Sequence, residues 1–330
     1  MSVDNELKLI DFMKTQPKKA FRAQFRIINH ARDSVGATPA TLNMLFCLYV
    51  LQILLYGCEM YVFSLKKHMI HGKSIRVKFR AAFNKLNKVY MTCARRILGA
   101  PQKTAHDAIL VRLGWMPLDY LMMYRCIILC IKSKRGLAGP AMQRLYADVE
   151  SYSVRDPRLS RFFRPALDNL NRLAEYNTSG TNFDVDSMSC VKRTLRDCMY
   201  LELTSIWNRS SVASVTRLIH PRWEKRQLPN SMHCRLAHVR YNCAALNRCP
   251  LRKRLFLIKR ASCELCRYNC GVTEDLNHMI FVCPKVAAER RKMFDVCKKF
   301  GYASTLRNMF TRRQLQHPVE KLIVAFTDPD

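Results

Sequence analysis

The chain is poor in acid. Twenty-five Asp and Glu stand against 56 Lys and Arg in 330 residues, a formal net charge of +31. That excess is larger than solubility requires and favours polyanionic partners, nucleic acid first, with membrane surfaces and acidic proteins as the other classes. Long apolar runs are missing as well. The most apolar stretch, residues 42–56, contains Asn43 and Gln52 and is followed at once by Gly57 and Glu59. A bilayer span needs about twenty apolar residues, so a buried helix is expected and no membrane partner. The start of the chain, Met-Ser-Val-Asp-Asn-Glu-Leu-Lys, has no basic segment leading into an apolar core, and no signal peptide is expected. Fifteen cysteines, an odd number, follow no secreted disulfide rhythm, which points to reduced thiols in the nucleus or cytoplasm. There is no Gly-rich phosphate loop and no Ser-His-Asp or Cys-His arrangement, so no catalytic residue, organic cofactor or small-molecule substrate is expected. With 49% hydrophobic residues, the chain has enough apolar surface for at least one real core and two or three small domains.

Helical periodicity dominates what is there. Residues 5–31 read as a basic amphipathic helix interrupted near Pro17. In residues 81–98, Phe83, Leu86, Tyr90, Cys93 and Ile97 recur at three and four, with Lys85, Lys88, Thr92, Arg95 and Arg96 opposite; Gly99 and Pro101 stop the helix. Thr104 and Asp107 form a capping-box-like start to a short helix ending at Gly114. Further helices are expected over 118–135 and 191–207. Cys126 and Cys130 share a face, and their apolar neighbours make them packing residues. Residues 136–189, punctuated by Gly and Pro, read as a linker with helical pieces. His233, Cys234, His238, Cys243 and Cys249 match no metal-site spacing and read as helix and core residues.

One constellation carries chemistry. Cys263-x2-Cys266, eleven residues, His278-x4-Cys283 supplies three thiolates and an imidazole, a complete tetrahedral shell for Zn2+. A closed shell is structural. His278 and Cys283 are five apart, about 500° of α-helix, which would leave them roughly 140° out of register. The helix must therefore break between them, and Pro284 pushes Cys283 out of the α region while suiting the first position of a new helix. Cys270 is an alternative ligand, because Cys266-x3-Cys270 also closes a hairpin clamp. The flanking Arg267, Asn269, Gly271 and Asn277 read as loop, against a set of ordinary core cysteines. Ahead of the motif, Arg252, Lys253, Arg254, Lys259 and Arg260 interleave with Leu255, Phe256, Leu257 and Ile258 in an element expected to pack on one side and meet phosphates on the other. With Arg267, these are the candidate nucleic-acid contacts.

Leu54-Leu-Tyr-Gly-Cys-Glu59, Lys85-Leu-Asn-Lys-Val-Tyr90, Arg95-Arg-Ile-Leu-Gly-Ala-Pro101 and Leu113-Gly-Trp-Met-Pro-Leu118 resemble the region after the catalytic palm in reverse transcriptases of non-LTR retrotransposons. Arg235-Leu-Ala-His-Val-Arg-Tyr-Asn242 and the Cys/His motif, with Thr273-Glu274-Asp275 before its histidine and Pro284 after its last cysteine, resemble the zinc-binding tail of the same polyproteins. The resemblance implies a mainly α architecture: a thumb-like helical bundle over 1–135, a helical linker over 136–215, a small zinc-stabilised domain over 216–310 and a tail over 311–330. It implies RNA or DNA as partner. The family's Tyr-Ala-Asp-Asp is absent. Tyr146-Ala-Asp-Val149 lacks the second Asp, and Asp184-Val-Asp186 stands in the linker without a third carboxylate, whereas polymerase chemistry needs carboxylates that hold two metal ions. The expectation is a fragment without polymerase activity of its own. The alternative is a helical scaffold whose zinc module docks proteins.

Overall fold

The computed structural model describes residues 15–25, 37–60, 73–153, 164–211, 213–226, 228 and 235–327. Among them all regular structure is helical, and the only pairing of β type is a single antiparallel bridge between Leu265 and Thr273. Residues 15–25 form a helix, followed by α1 (Pro39–Leu55), α2 (Lys73–Leu98), α3 (His106–Leu113), α4 (Leu118–Lys134), α5 (Pro140–Ser153), α6 (Arg164–Ala174) and α7 (Met188–Arg209). The remainder holds α8 (Ser214–Ile219), α9 (Arg235–Ala245), α10 (Arg252–Leu257), α11 (Ala287–Lys299), α12 (Leu306–Thr311) and α13 (Arg313–Thr327). The mainly α reading is therefore correct, and no single described helix is long and apolar enough to cross a membrane.

Local signals explain several boundaries. α3 stops at Gly114, whose φ of +69° is a left-handed cap that glycine adopts without strain. A Cβ there would also lie 2.4 Å from the amide nitrogen of Arg226, so glycine alone lets the 224–226 segment lie against the end of α3. The capping box expected from Thr104 and Asp107 does not form. Ala105 precedes α3, no side chain caps it, and Thr104 is buried instead. α1 ends at Tyr56, which turns extended (ψ 124°), well short of a span.

The chain divides into two compact units, each assembled from three segments. One takes residues 45–93 and 116–206, with the N-terminal helix; the other takes 30–44, 94–115 and 207–330. This interleaving differs from the sequential partition 1–135, 136–215, 216–310 and 311–330. Residues 136–206 are not a loose connector, since Leu173, Val191, Leu195 and Met199 from them are fully buried in the first unit's core. In that unit Tyr90 packs on Phe46, ring centroids 5.8 Å apart, and its hydroxyl donates to the Met116 carbonyl at 2.6 Å. Cys126 and Cys130 are buried there as packing residues.

The second unit has its own core, in which Ile219, Tyr241, Ala244, Met279, Ile280, Met293, Met309, Phe310, Val319, Leu322, Ile323 and Phe326 meet. The expected tail is the largest departure. α13 repeats apolar residues at helical spacing and places Leu315, Val319, Leu322, Ile323 and Phe326 in this core, with 0% exposure each. Residues 313–327 are thus an integral helix of the unit, with five large apolar side chains removed from water to offset the entropy cost of ordering them.

Candidate metal centre and its basic surroundings

The hairpin that builds the centre is closed by few bonds. The Cys266 amide donates to Val272 (2.8 Å), the Glu274 amide to Glu264 (2.8 Å), and the Asn269 amide to Cys266 (3.1 Å). Asn269 and Gly271 take φ of +56° and +71°, the left-handed conformations that Asn and Gly tolerate best. These two residues reverse the chain between Cys266 and Val272. The sulfurs of Cys266 and Cys270 consequently point to one side.

The opposing ligands come from a widened turn. Residues His278–Val282 are wound as a π turn, the Cys283 amide donates to the His278 carbonyl at 2.8 Å, and Cys283 itself is extended at φ −57°, ψ 125°. An i to i+5 turn brings residues five apart nearly into register, which solves the angular problem that a regular helix would pose. Pro284 begins a 3₁₀ turn that leads into α11, as its fixed φ predicts. Arg290 holds this arrangement from behind, donating to the carbonyls of Ile280 (2.9 Å) and Cys283.

The ligand atoms of Cys266, Cys270, His278 and Cys283 all lie within 4.8 Å of one another. The Cys283 sulfur is 3.9 Å from that of Cys266 and 3.7 Å from that of Cys270. A tetrahedron with metal–sulfur bonds of about 2.3 Å has an edge of about 3.8 Å. His278 is 2% exposed, and neither of its ring nitrogens has a hydrogen-bond partner. A buried imidazole normally satisfies both; one left bare beside three thiols fits a metal ligand. Burial, with the adjacent Cys270 and Cys266 thiols, pushes the Cys283 thiol up to about 12, and a bound cation would favour its thiolate. The group can hold a metal ion.

Cys263 lies outside this group. Two residues separate it from Cys266, and its sulfur accepts instead from the Arg252 guanidinium at 3.4 Å. Cys270, weighed as the alternative, stands in the position that the Cys263 set assigned elsewhere. The spacing that closes is Cys-x3-Cys, seven residues, His-x4-Cys.

Glu274 organises the module, and sequence reasoning gave it no role. Its side chain has no exposed surface and accepts from the amides of Arg252 (2.8 Å) and Arg267 (2.9 Å) and from the Arg267 guanidinium, the shortest contact being 2.6 Å. Burial alone would raise its pKa, but these bonds outweigh burial and hold it below the usual carboxylate range. Asp275 accepts from the His278 amide at 3.0 Å, starting the ligand turn. A Glu-Asp pair just ahead of a ligand histidine was the available signal.

The proposed phosphate contacts fall into two groups. Arg267 is already engaged within the module: its guanidinium bonds Glu274 and the Pro250 carbonyl and lies over the Phe326 ring, 5.8 Å from the centroid. Lys253 pairs with Asp275 at 3.2 Å, Arg252 is held by Cys263, and Arg254 donates to the Asn247 carbonyl at 2.8 Å. Lys259 and Arg260 are exposed; their amides donate to the Phe256 (2.9 Å) and Leu255 (2.7 Å) carbonyls, and their side chains make no hydrogen bond or ion pair among the described residues. The segment carrying them was expected to pack on its apolar side. Instead α10 is one short helix with no buried residue, and Phe256, Leu257 and Ile258 are 45%, 74% and 47% exposed.

The other residues singled out in the sequence lie elsewhere. Asp184 pairs with Lys134 at the end of α4 at 2.9 Å, and Asp186 accepts from the Asn182 amide of its own loop at 3.0 Å. Tyr146 is buried. His238, Cys243 and Cys249 are buried or half-buried residues of the second unit, while His233 and Cys234 lie outside the described residues. The chain matches no protein-family model, no curated protein and no solved structure.

Proposed function

We propose that the chain is the nucleic-acid-binding C-terminal part of a non-LTR retrotransposon reverse transcriptase, without polymerase activity of its own, and that its metal is Zn2+. The observation that carries this reading is a closed Cys/Cys/His/Cys cluster whose flanking loop presents unpaired cations, in a chain of net charge +31. Cys266, Cys270, His278 and Cys283 would hold the ion. Three thiolates and one imidazole suit zinc better than the harder divalent ions, and the ion's contribution is folding free energy, with no open position for chemistry. Glu274 and Arg267 brace the loop, and Arg290 braces the ligand turn. Lys259 and Arg260 meet phosphates, and the exposed Phe256 ring offers a base a stacking surface. Arg291 and Lys298 on α11 add exposed charge.

Titrating homopolymeric RNA and single-stranded DNA with the full chain at increasing salt tests this. Each phosphate contact contributes about 0.7 to 0.9 to the log–log salt slope. Lys259→Glu with Arg260→Glu should lower both affinity and slope. Salt-independent binding, or a slope unchanged by the double variant, would refute the reading. One observation favours a second reading, a zinc module that docks proteins: the contiguous exposure of Phe256, Leu257 and Ile258. Leu257→Asp distinguishes them, since a protein-docking surface would lose its partner while RNA affinity changed little.

A further inference from the structure

A cavity of about 620 Å³ opens within the second unit, well away in character from the metal centre. Five cations line it, Arg112, Lys225, Arg226, Arg312 and Arg313, against a single carboxylate, Glu224. Arg112 is the fixed point of its wall. Its guanidinium donates to Asn242 Oδ1 through Nε and Nη2 (3.2 Å each), to the Phe310 carbonyl through Nη1 (2.8 Å), and to His220 Nε2 (3.1 Å), and it lies over the Tyr241 ring, 5.1 Å from the centroid. None of these partners carries negative charge. A guanidinium only donates, so His220 Nε2 must accept and the ring is neutral, with its proton on Nδ1. Asn242 is fixed likewise, because its amide group donates to the Leu98 carbonyl (3.1 Å) and to His238 Nε2 (2.8 Å).

The network therefore places a positive charge on the wall with no ion-pair partner of its own among the described residues, although a buried carboxylate, Glu320, faces His238 Nδ1 at 3.5 Å. Arg226 repeats the pattern, donating through Nε to the Val111 carbonyl at 3.1 Å, with only the exposed Glu224 as ion-pair partner, at 3.0 Å. Burial, then the charges of Arg112 and Arg307 against the opposing Glu224, brings Arg226 down to about 10. Burial and the same arginines hold His220 well below its ordinary value. The cavity resists more positive charge, and a bound anion would relieve the repulsion. Lys225 and Arg313 are exposed and unpaired among the described residues, available to close over a ligand.

We infer that this cavity binds a compact phosphate-rich anion, of the class of a nucleotide's di- or triphosphate. Five cations against one carboxylate favour phosphate oxygens by geometry and charge together, and the volume is that of an ordinary ligand site. A site made of side chains leaves no Gly-rich signature, which is why no small-molecule ligand was expected from the sequence. The inference is independent of the nucleic-acid reading.

Calorimetric titration of the full chain with tripolyphosphate tests it. One saturable site is expected, weakened at least tenfold by Lys225→Glu with Arg313→Glu, and left unchanged by Lys259→Glu with Arg260→Glu. Lysine acetylation followed by mass spectrometry needs no variant: tripolyphosphate should shield Lys225 and not Lys259. Absence of a saturable site, affinity indifferent to the Lys225 and Arg313 changes, or Lys225 modified equally with and without the anion would overturn the inference. Two further arms identify the source. A nucleoside triphosphate binding as well as a 5′-triphosphorylated oligonucleotide marks a free nucleotide; preference for the oligonucleotide over its 5′-hydroxyl form marks a strand end. Failure of the Lys259 and Arg260 variant to affect RNA binding would touch only the nucleic-acid reading.

Discussion

Replacing Glu274 by alanine removes the one acceptor on which the metal module converges. Four donors lose their partner: the amides of Arg252 and Arg267, and the Nε and Nη2 groups of Arg267. The carboxylate has no exposed surface, so water does not replace it without opening the loop, whereas the Arg267 side chain is 28% exposed and partly rehydrates. An unsatisfied buried donor costs about 1–3 kcal/mol, and breaking a buried ion pair from one side costs about 3–5 kcal/mol. The latter figure already includes the orphaned donors, so the expected loss is about 3–5 kcal/mol. Tryptophan fluorescence would miss it, because Trp115, Trp207 and Trp223 all lie outside the hairpin. Amide hydrogen exchange reports it directly. At about 1.4 kcal/mol per tenfold, protection of the Cys266 and Glu274 amides should fall by about two to three and a half orders of magnitude. Glu274→Gln should be nearly as damaging, since its amide group would face the Arg267 donors. A loss under fivefold in Glu274→Ala would refute the argument that this carboxylate holds the hairpin.

Three other outcomes follow from the same structure. Phe326→Ala should destabilise the second unit by about 3–5 kcal/mol, because the ring is fully buried, packs edge-on to Tyr268 at 5.3 Å and lies beneath Arg267; a urea melt checks it, and a surface tail would show almost no change. His220 and His238 are kept neutral in the fold, each held below its ordinary value first by burial. The unfolded chain therefore takes up protons that the folded chain refuses, and stability should decline as pH drops below about 6.5, by up to about 1.4 kcal/mol per unit for each ring. Urea midpoints read by tryptophan fluorescence between pH 7.5 and 5.5 measure this slope, and His220→Gln should reduce it. Gly114→Ala should destabilise strongly, because the new methyl would meet the backbone of Glu224 and Arg226 at 2.6 Å and 2.4 Å in a left-handed conformation; an unchanged melting temperature would contradict the packing of that segment on α3.

Much of the helical layout was legible because its signals are local. The helices expected over 118–135 and 191–207 match α4 and α7 to within three residues at each end, and the one expected over 81–98 ends with α2 but begins eight residues late, since α2 starts at Lys73. The break between His278 and Cys283 also followed from backbone geometry and Pro284. What escaped depends on contacts between distant residues. Cys263 and Cys270 have equally plausible spacings from Cys266, and only the hairpin closed by Asn269 and Gly271 decides which sulfur turns inward. Arg267 looked like a phosphate contact because its partner, Glu274, becomes its neighbour only once the hairpin forms. The tail became a core helix because α13 finds α9 and α11, far away in sequence. Arg112, Asn242 and His220 carry no motif, and only the fold brings them to one cavity.

Cys266, Cys270, His278 and Cys283 can hold one metal ion between them. The most direct test is metal stoichiometry, by mass spectrometry under native conditions, in Cys263→Ser and Cys270→Ser side by side. One zinc ion is expected in the unaltered chain and in Cys263→Ser, and its loss from Cys270→Ser. Metal kept by Cys270→Ser and lost from Cys263→Ser would contradict this.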